Sequence, residues 1–104
     1  MNIKKKYNTE DEFNLMRQLN RSPKSSQREL ANHLGFSLGK LNYCLKALQK
    51  KGLIKINNFK NNKNKINYIY LLTPKGIAKK TKLTINFMKK KMQEYDELKN
   101  EIER

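Results

Sequence analysis

The feature that most restricts the fold is a run of paired helix starts and stops between Ser26 and Gly52. Ser26 and Glu29 form an S-x-x-E pattern, in which each side chain can satisfy the other residue's backbone N–H at a helix N-terminus. Leu30, Ala31 and Leu34 then share one face, and Gly35 stands where a helix can close in the left-handed conformation. Only Phe36 intervenes before Ser37 caps a second helix, whose apolar stripe is Leu41, Cys44, Leu45 and Leu48 and whose stop is Gly52. Two short helices joined by so tight a glycine turn make a helix-turn-helix signature.

The flanks extend this signature. Thr9 with Glu12 predicts a helix start in the same box pattern, and Phe13, Met16 and Leu19 recur at helical spacing before Pro23. After Gly52 the period changes to two. Ile54, Ile56 and Asn58 alternate with polar residues, Ile66, Tyr68, Tyr70 and Leu72 follow, and Asn61 to Asn64 lie between as a turn-prone tip. Thr73 and Pro74 then supply a cap and a first helical residue. A helix from there to the C-terminus would be about 45 Å long at 1.5 Å per residue. The expected fold is mainly α with a small β-hairpin: a winged helix-turn-helix plus a long C-terminal dimerisation helix. Residues 1–8 read as a flexible basic start, 9–73 as the DNA-binding unit and 74–104 as the terminal helix.

Charge narrows the partner. The chain carries a formal +15 over 104 residues, and between Leu30 and Gln93 there are fifteen lysines and no Asp or Glu. A basic body with acids confined to its two ends suits a polyanion. Lys, Asn and Ile are also enriched by AT-rich coding, so the motifs must decide. On a wheel at 100° per residue, Leu41, Cys44, Leu45 and Leu48 converge on one side of the second helix. Gly39, Tyr43, Lys46 and Lys50 oppose them, with Lys40 and Asn42 on the flanks.

A helix of this kind enters the major groove by its N-terminal turns, so Ser37, Gly39, Lys40, Asn42, Tyr43 and Lys46 are the expected DNA contacts. Asn42 can pair with an adenine edge, Lys40 can reach guanine or phosphate, and Tyr43 can stack on a sugar or a thymine methyl. Ser37 and the free amides behind it suit a phosphate oxygen. Gly39 lacks a side chain at the centre of this face, which allows a close approach. Lys24, Gln27 and Arg28 should hold phosphate beside the groove, and Lys60, Asn62, Lys63 and Lys65 should bring the wing to the minor groove or backbone.

"SSQRELANHLGFSLGKLNYCLKALQKKGLI" followed by "INNFKNNKNKINYIYLLTPKGIAKK" resembles the MarR-type winged-helix regulators. More narrowly it is similar to a short subgroup associated with exopolysaccharide (EPS), in which "SQREL", "SLGKLNYCLKAL", "NFK", "LTPKGI" and "EY…L…EI" recur. The resemblance covers residues 9 to 103. It implies a bacterial transcriptional regulator, cytoplasmic and on the nucleoid when bound, whose locus concerns surface polysaccharide; that link comes from the resemblance alone. Larger MarR-type proteins carry a longer N-terminal helix and paired C-terminal helices around a small-ligand cleft. One terminal helix and a short start leave no effector cleft of that kind to expect.

Along the terminal helix, Thr81, Met88, Tyr95 and Ile102 fall seven apart, and Ile85, Met92 and Leu98 widen the stripe. Its first half is lysine-rich (Lys79, Lys80, Lys82, Lys89 to Lys91) and its second acidic (Glu94, Asp96, Glu97, Glu101, Glu103). An antiparallel pair sets basic against acidic segments in both directions, whereas a parallel pair stacks like charges. The expectation is an antiparallel homodimer through Ile85, Met88, Met92, Tyr95, Leu98 and Ile102, presenting two recognition helices to a pseudo-palindromic duplex.

Other chemistries find no support in the sequence. Cys44 sits on the core stripe, and as the only cysteine it has no intrachain disulfide partner. His33 is the only histidine, so neither a zinc site nor an acid–base pair is expected, and no glycine loop cradles a phosphate. The expected protein is not an enzyme and needs no cofactor. No apolar run is long enough for a bilayer and no signal peptide opens the chain. The competing expectation is a winged-helix adaptor whose basic face meets RNA or an acidic protein.

Overall fold

The computed structural model describes residues 7–60 and 66–104, without the side chains of 58–60, 66 and 67. The elements run α1 (Thr9–Arg21), α2 (Gln27–Leu34), α3 (Leu38–Lys50), β1 (Ile54–Lys60), β2 (Ile66–Leu72) and α4 (Pro74–Glu103). The fold is therefore mainly α with one two-stranded hairpin, as the sequence predicts. β1 and β2 pair antiparallel with Ile54 opposite Leu72, Ile56 opposite Tyr70 and Asn58 opposite Tyr68.

The local stops and starts fall where their chemistry places them. Ser26 Oγ accepts from the Glu29 N–H at 3.1 Å, and Glu29 Oε1 accepts from the Ser26 N–H at 3.0 Å. Gly35 and Gly52 both take positive φ, at 70° and 75°. These are backbone conformations that a Cβ disfavours.

The start of α1 corrects the reading by one residue. Asn8, not Thr9, is the N-cap: its side chain accepts from the Asp11 N–H at 2.8 Å, and its own N–H donates to Asp11 Oδ2 at 3.1 Å. Glu12 is unavailable for the box because Lys51 Nζ donates to its Oε2 at 2.7 Å, in a largely buried position. Tyr7, just outside the helix, is itself buried rather than loose, with the Lys51 ammonium 5.7 Å from its ring centre.

The stripes of α1, α2 and α3 meet in one core. Leu15, Met16, Leu19, Leu30, Leu41, Cys44 and Leu48 are fully buried, and Leu53, Ile54, Tyr70 and Leu83 close the side facing the hairpin and α4. Each large apolar side chain so buried contributes about 1.5–3 kcal/mol relative to exposure.

α4 is bolted to the end of α3. The Thr73 hydroxyl donates to the Gly52 carbonyl at 2.6 Å, the Thr73 N–H to the Leu53 carbonyl at 3.0 Å, and Lys75 Nζ to the Lys51 carbonyl at 3.1 Å. The first turn of α4 lies so close that a Cβ on Gly76 would run into the Leu53 carbonyl oxygen. Only glycine fits there. Beyond Met88 the helix leaves the body, since residues 89–104 are all exposed. The chain consequently spans 65 Å along its long axis with a radius of gyration of 17.0 Å, against about 13 Å for a compact chain near this length. Among the described residues no helix is long and apolar enough to cross a membrane.

Candidate nucleic-acid interface

α3 begins at Ser37, whose Oγ accepts from the Lys40 N–H at 3.1 Å. That bond caps the helix and leaves the amides of Leu38 and Gly39 at its start. The core stripe fixes the helix's rotation: with Leu41, Cys44, Leu45 and Leu48 buried, Gly39, Asn42, Tyr43 and Lys46 are exposed on the other faces. No heavy atom lies within 4 Å of where a Gly39 Cβ would be, so nothing inside the fold requires glycine there. Lys46 and Lys50 have no ion pair among the described residues.

Two predicted contacts are engaged within the chain. Lys40 turns to the flank of α3, where its ammonium pairs with Asp11 at 3.1 Å and lies 4.4 Å from the Phe36 ring centre. Gln27 donates from Nε2 to the Tyr70 hydroxyl at 2.7 Å, which ties α2 to the wing. Its amide N–H therefore points inward. Lys24 and Arg28 stay exposed beside α2. Asn62, Lys63 and Lys65 lie outside the described residues, and Lys60 is described in its backbone only.

Sequence reasoning missed Tyr7, which frames this face from just before α1. Tyr7 meets Tyr43 edge-on, with ring centres 5.6 Å apart and planes inclined at 61°. Burial holds the Tyr7 phenol above the ordinary tyrosine range, against the pull of its hydrogen bond with Lys51. The Glu12 carboxylate raises the Lys51 ammonium above the usual lysine range through their hydrogen bond, and burial opposes that rise. A tyrosine within a lysine-rich start carries no periodic signal; only its distance of one residue from the Asn8 cap could have hinted at it.

Cys44 lies on the core side of α3, and desolvation pushes its thiol up to about 11. A thiol so protonated is a poor nucleophile at neutral pH. Among the described residues no group of three His, Cys, Asp or Glu could hold a metal ion.

The six seam residues of α4 are at least 47% exposed, and Ile77 extends the same stripe toward the body. At its inner end Phe87 stacks on Phe13 of α1 with ring centres 4.9 Å apart and planes 13° from parallel. A groove of about 540 Å³ opens beside that stack, between α1 and α4.

Comparison with known proteins agrees with this geometry. A family model described as winged helix-turn-helix DNA-binding matches residues 12–55. A MarR family transcription regulator of solved structure shares 22% identity, covering 88% of this chain and 59% of that one, with a TM-score of 0.70. The zinc-responsive MarR family member ZitR of Lactococcus lactis shares 26% identity over 94% of this chain and 63% of its own, with a TM-score of 0.66. A variant of ZitR in complex with DNA shares 24% identity over 91% of this chain and 62% of its own, with a TM-score of 0.67. The chain thus spans about three-fifths of the length of these structures. No curated protein sequence matches it.

Proposed function

The chain is a winged helix-turn-helix protein of the MarR-regulator fold, and from that premise we propose that it regulates transcription by binding a specific duplex sequence. The observation that carries this reading is the outer face of α3. It is exposed, free of acids, and furnished with Gly39, Asn42, Tyr43 and Lys46 while the opposite face fills the core. Asn42 is the proposed base reader; Lys46, with Lys24 and Arg28 beside it, takes phosphate. Lys40 joins them when its pairing with Asp11 is exchanged for a phosphate or a base edge. Gln27 acts through Tyr70, by holding the wing against α2. The wing lysines Lys60, Lys63 and Lys65, with Asn62, complete the proposed footprint.

The protein acts as an antiparallel homodimer through α4, in the bacterial cytoplasm and on the nucleoid when bound. Its resemblance to EPS-associated regulators supports a reading in which its target genes concern exopolysaccharide synthesis. That a relative of the same fold is solved with DNA supports the central claim.

Selection from random duplexes, followed by footprinting on genomic DNA, tests this reading. The expected site is a pseudo-palindrome with half-sites about one helical turn, ~34 Å, apart. The logarithm of affinity should fall with log salt at about −0.9 per neutralised phosphate. Lys46→Ala should weaken all duplexes alike, and Asn42→Ala should relax preference at one position. Equal affinity for every duplex refutes sequence-specific regulation, and a preference for RNA or an acidic protein points to an adaptor instead.

A further inference from the structure

Leu38 is the first residue of α3 and is 47% exposed. Every other leucine of α1, α2 and α3 is buried or packed against the core. Among the described residues outside α4, the exposed large apolar side chains are Leu38, Tyr43 and Tyr68. The first two stand in the opening turns of α3 and the third on the wing strand β2. A lone exposed leucine is ordinary on a protein surface. Here the exposed apolar groups of the body gather on the recognition helix and the wing.

The wheel of α3 sets Leu38 beside the base-facing side chains. At 100° per residue, Leu38 and Asn42 lie about 40° apart and one turn from each other, as do Gly39 and Tyr43. The four make one patch over the first two turns, with Leu38 at one edge and Tyr43 at the other. Lys40 is turned away from it, held by Asp11 on α1. Nothing lies within 4 Å of a Gly39 Cβ, so the centre of the patch is open. Side chains on a helix lean toward its N-terminus. At the first position Leu38 has no preceding helical turn to lie on, and it is the foremost apolar group of the end that enters a major groove.

We propose that Leu38 reads thymine: its side chain packs on the C5-methyl of a thymine in the major groove, close to the base that Asn42 contacts. The inference rests on the reading of α3 as the base-contacting helix and adds the residue that selects one base. An isobutyl group neither donates nor accepts a hydrogen bond. Of the groups that base pairs show in the major groove, the thymine methyl is the one that offers it an apolar contact. Over another edge it strips water from a donor or acceptor and returns no bond. Charge favours duplex DNA over a protein's apolar surface as the occupant. Lys46 shares the exposed side of α3, and no Asp or Glu occurs between Leu30 and Gln93.

Deoxyuridine in place of thymine tests this, because it removes the methyl and keeps the pairing edge. In a duplex selected by the full chain, each thymine is replaced singly and affinity is read by fluorescence anisotropy. At one thymine of the half-site the wild-type chain should lose about three- to tenfold, the scale of one buried methyl group and its contacts. Leu38→Ala should bind the thymine and deoxyuridine duplexes alike at that position and keep its response at the others. Leu38→Met, which keeps an apolar side chain of similar volume, should restore the discrimination. Thermal melts of both variants should stay close to wild type, because Leu38 lies outside the core.

Affinity unchanged by every deoxyuridine substitution overturns the proposal, as does a selected half-site without thymine. Discrimination that persists in Leu38→Ala overturns it too, and gives the methyl to another side chain such as Tyr43. A chain that prefers no duplex sequence removes sequence-specific regulation and this inference together. A sequence preference without dependence on the methyl removes this inference alone.

Discussion

Gly39→Ala separates the demands of the fold from those of a ligand at one residue. In the free protein the added methyl meets no heavy atom within 4 Å and sits in the first turn of α3, after Ser37 and Leu38. The fold therefore gains helix propensity at no steric cost. A glycine-to-alanine change yields about 1 kcal/mol in a helix interior, and somewhat less in a first turn. About 0.5–1 kcal/mol raises Tm by roughly 3–6 °C in a domain of this size. If that turn lies against duplex DNA, the methyl is inserted into a packed contact, where overpacking costs about 1–3 kcal/mol. Each 1.4 kcal/mol is about tenfold in Kd. Differential scanning calorimetry should show the melting temperature rise while fluorescence anisotropy shows roughly a 5- to 150-fold loss of affinity for the selected duplex. Gly39→Leu should deepen the loss of binding at similar stability. Wild-type affinity in both variants refutes the close approach, and a fall in Tm refutes the open space around Gly39.

Gly76→Ala should do the reverse, because its methyl runs into the Leu53 carbonyl: a loss of about 1–3 kcal/mol, read by urea denaturation. Cys44, with its thiol pushed up to about 11, should resist alkylation in the folded protein near neutral pH and react at a rate set by unfolding; rapid labelling under native conditions contradicts its burial. Tyr7 and Lys51 both hold their protons more tightly in the folded chain than in the unfolded one. Their contribution is thus fully present below about pH 10, where the unfolded groups begin to titrate, and drains as pH rises through the folded-state values. Thermal melts across pH 8 to 11 should show this decline. Tyr7→Phe should blunt it, and a Tm independent of alkaline pH goes against the coupling.

What the sequence made legible is local. Ser26 with Glu29, Gly35, Ser37, Gly52 and the Thr73–Pro74 pair each specify a backbone conformation through neighbours within four residues, and each stands where it was expected. The N-cap of α1 was missed because two overlapping patterns, Asn8 with Asp11 and Thr9 with Glu12, both satisfy the local rule. The choice between them is made 39 residues away, where Lys51 takes Glu12. The same cause hid the partners of Lys40 and Gln27, since Asp11 and Tyr70 come near them only after the core has set the helices against one another. The groove between α1 and α4 was hidden likewise: Phe13 and Phe87 are ordinary core-stripe residues in sequence, and only their stacking shows an opening beside them.

The acids of α1 sort the lysines of α3 by direction. Lys40 in its first turn and Lys51 at its C-cap both face α1, and each ends on a carboxylate there, Asp11 or Glu12. Those carboxylates also lie at the positive end of the α1 dipole, so the charges that suit the start of α1 also neutralise one flank of α3. Lys46 and Lys50, turned away from α1, keep their charge toward solvent, and no acid between Leu30 and Gln93 opposes them. The lysines of α3 therefore fall into two sets: Lys40 and Lys51 hold helices together through their carboxylates, and Lys46 and Lys50 lie on the side that carries Gly39 and Asn42. A lysine excess from coding bias alone would not arrange itself by helix face, and this arrangement is what a polyanion could recognise.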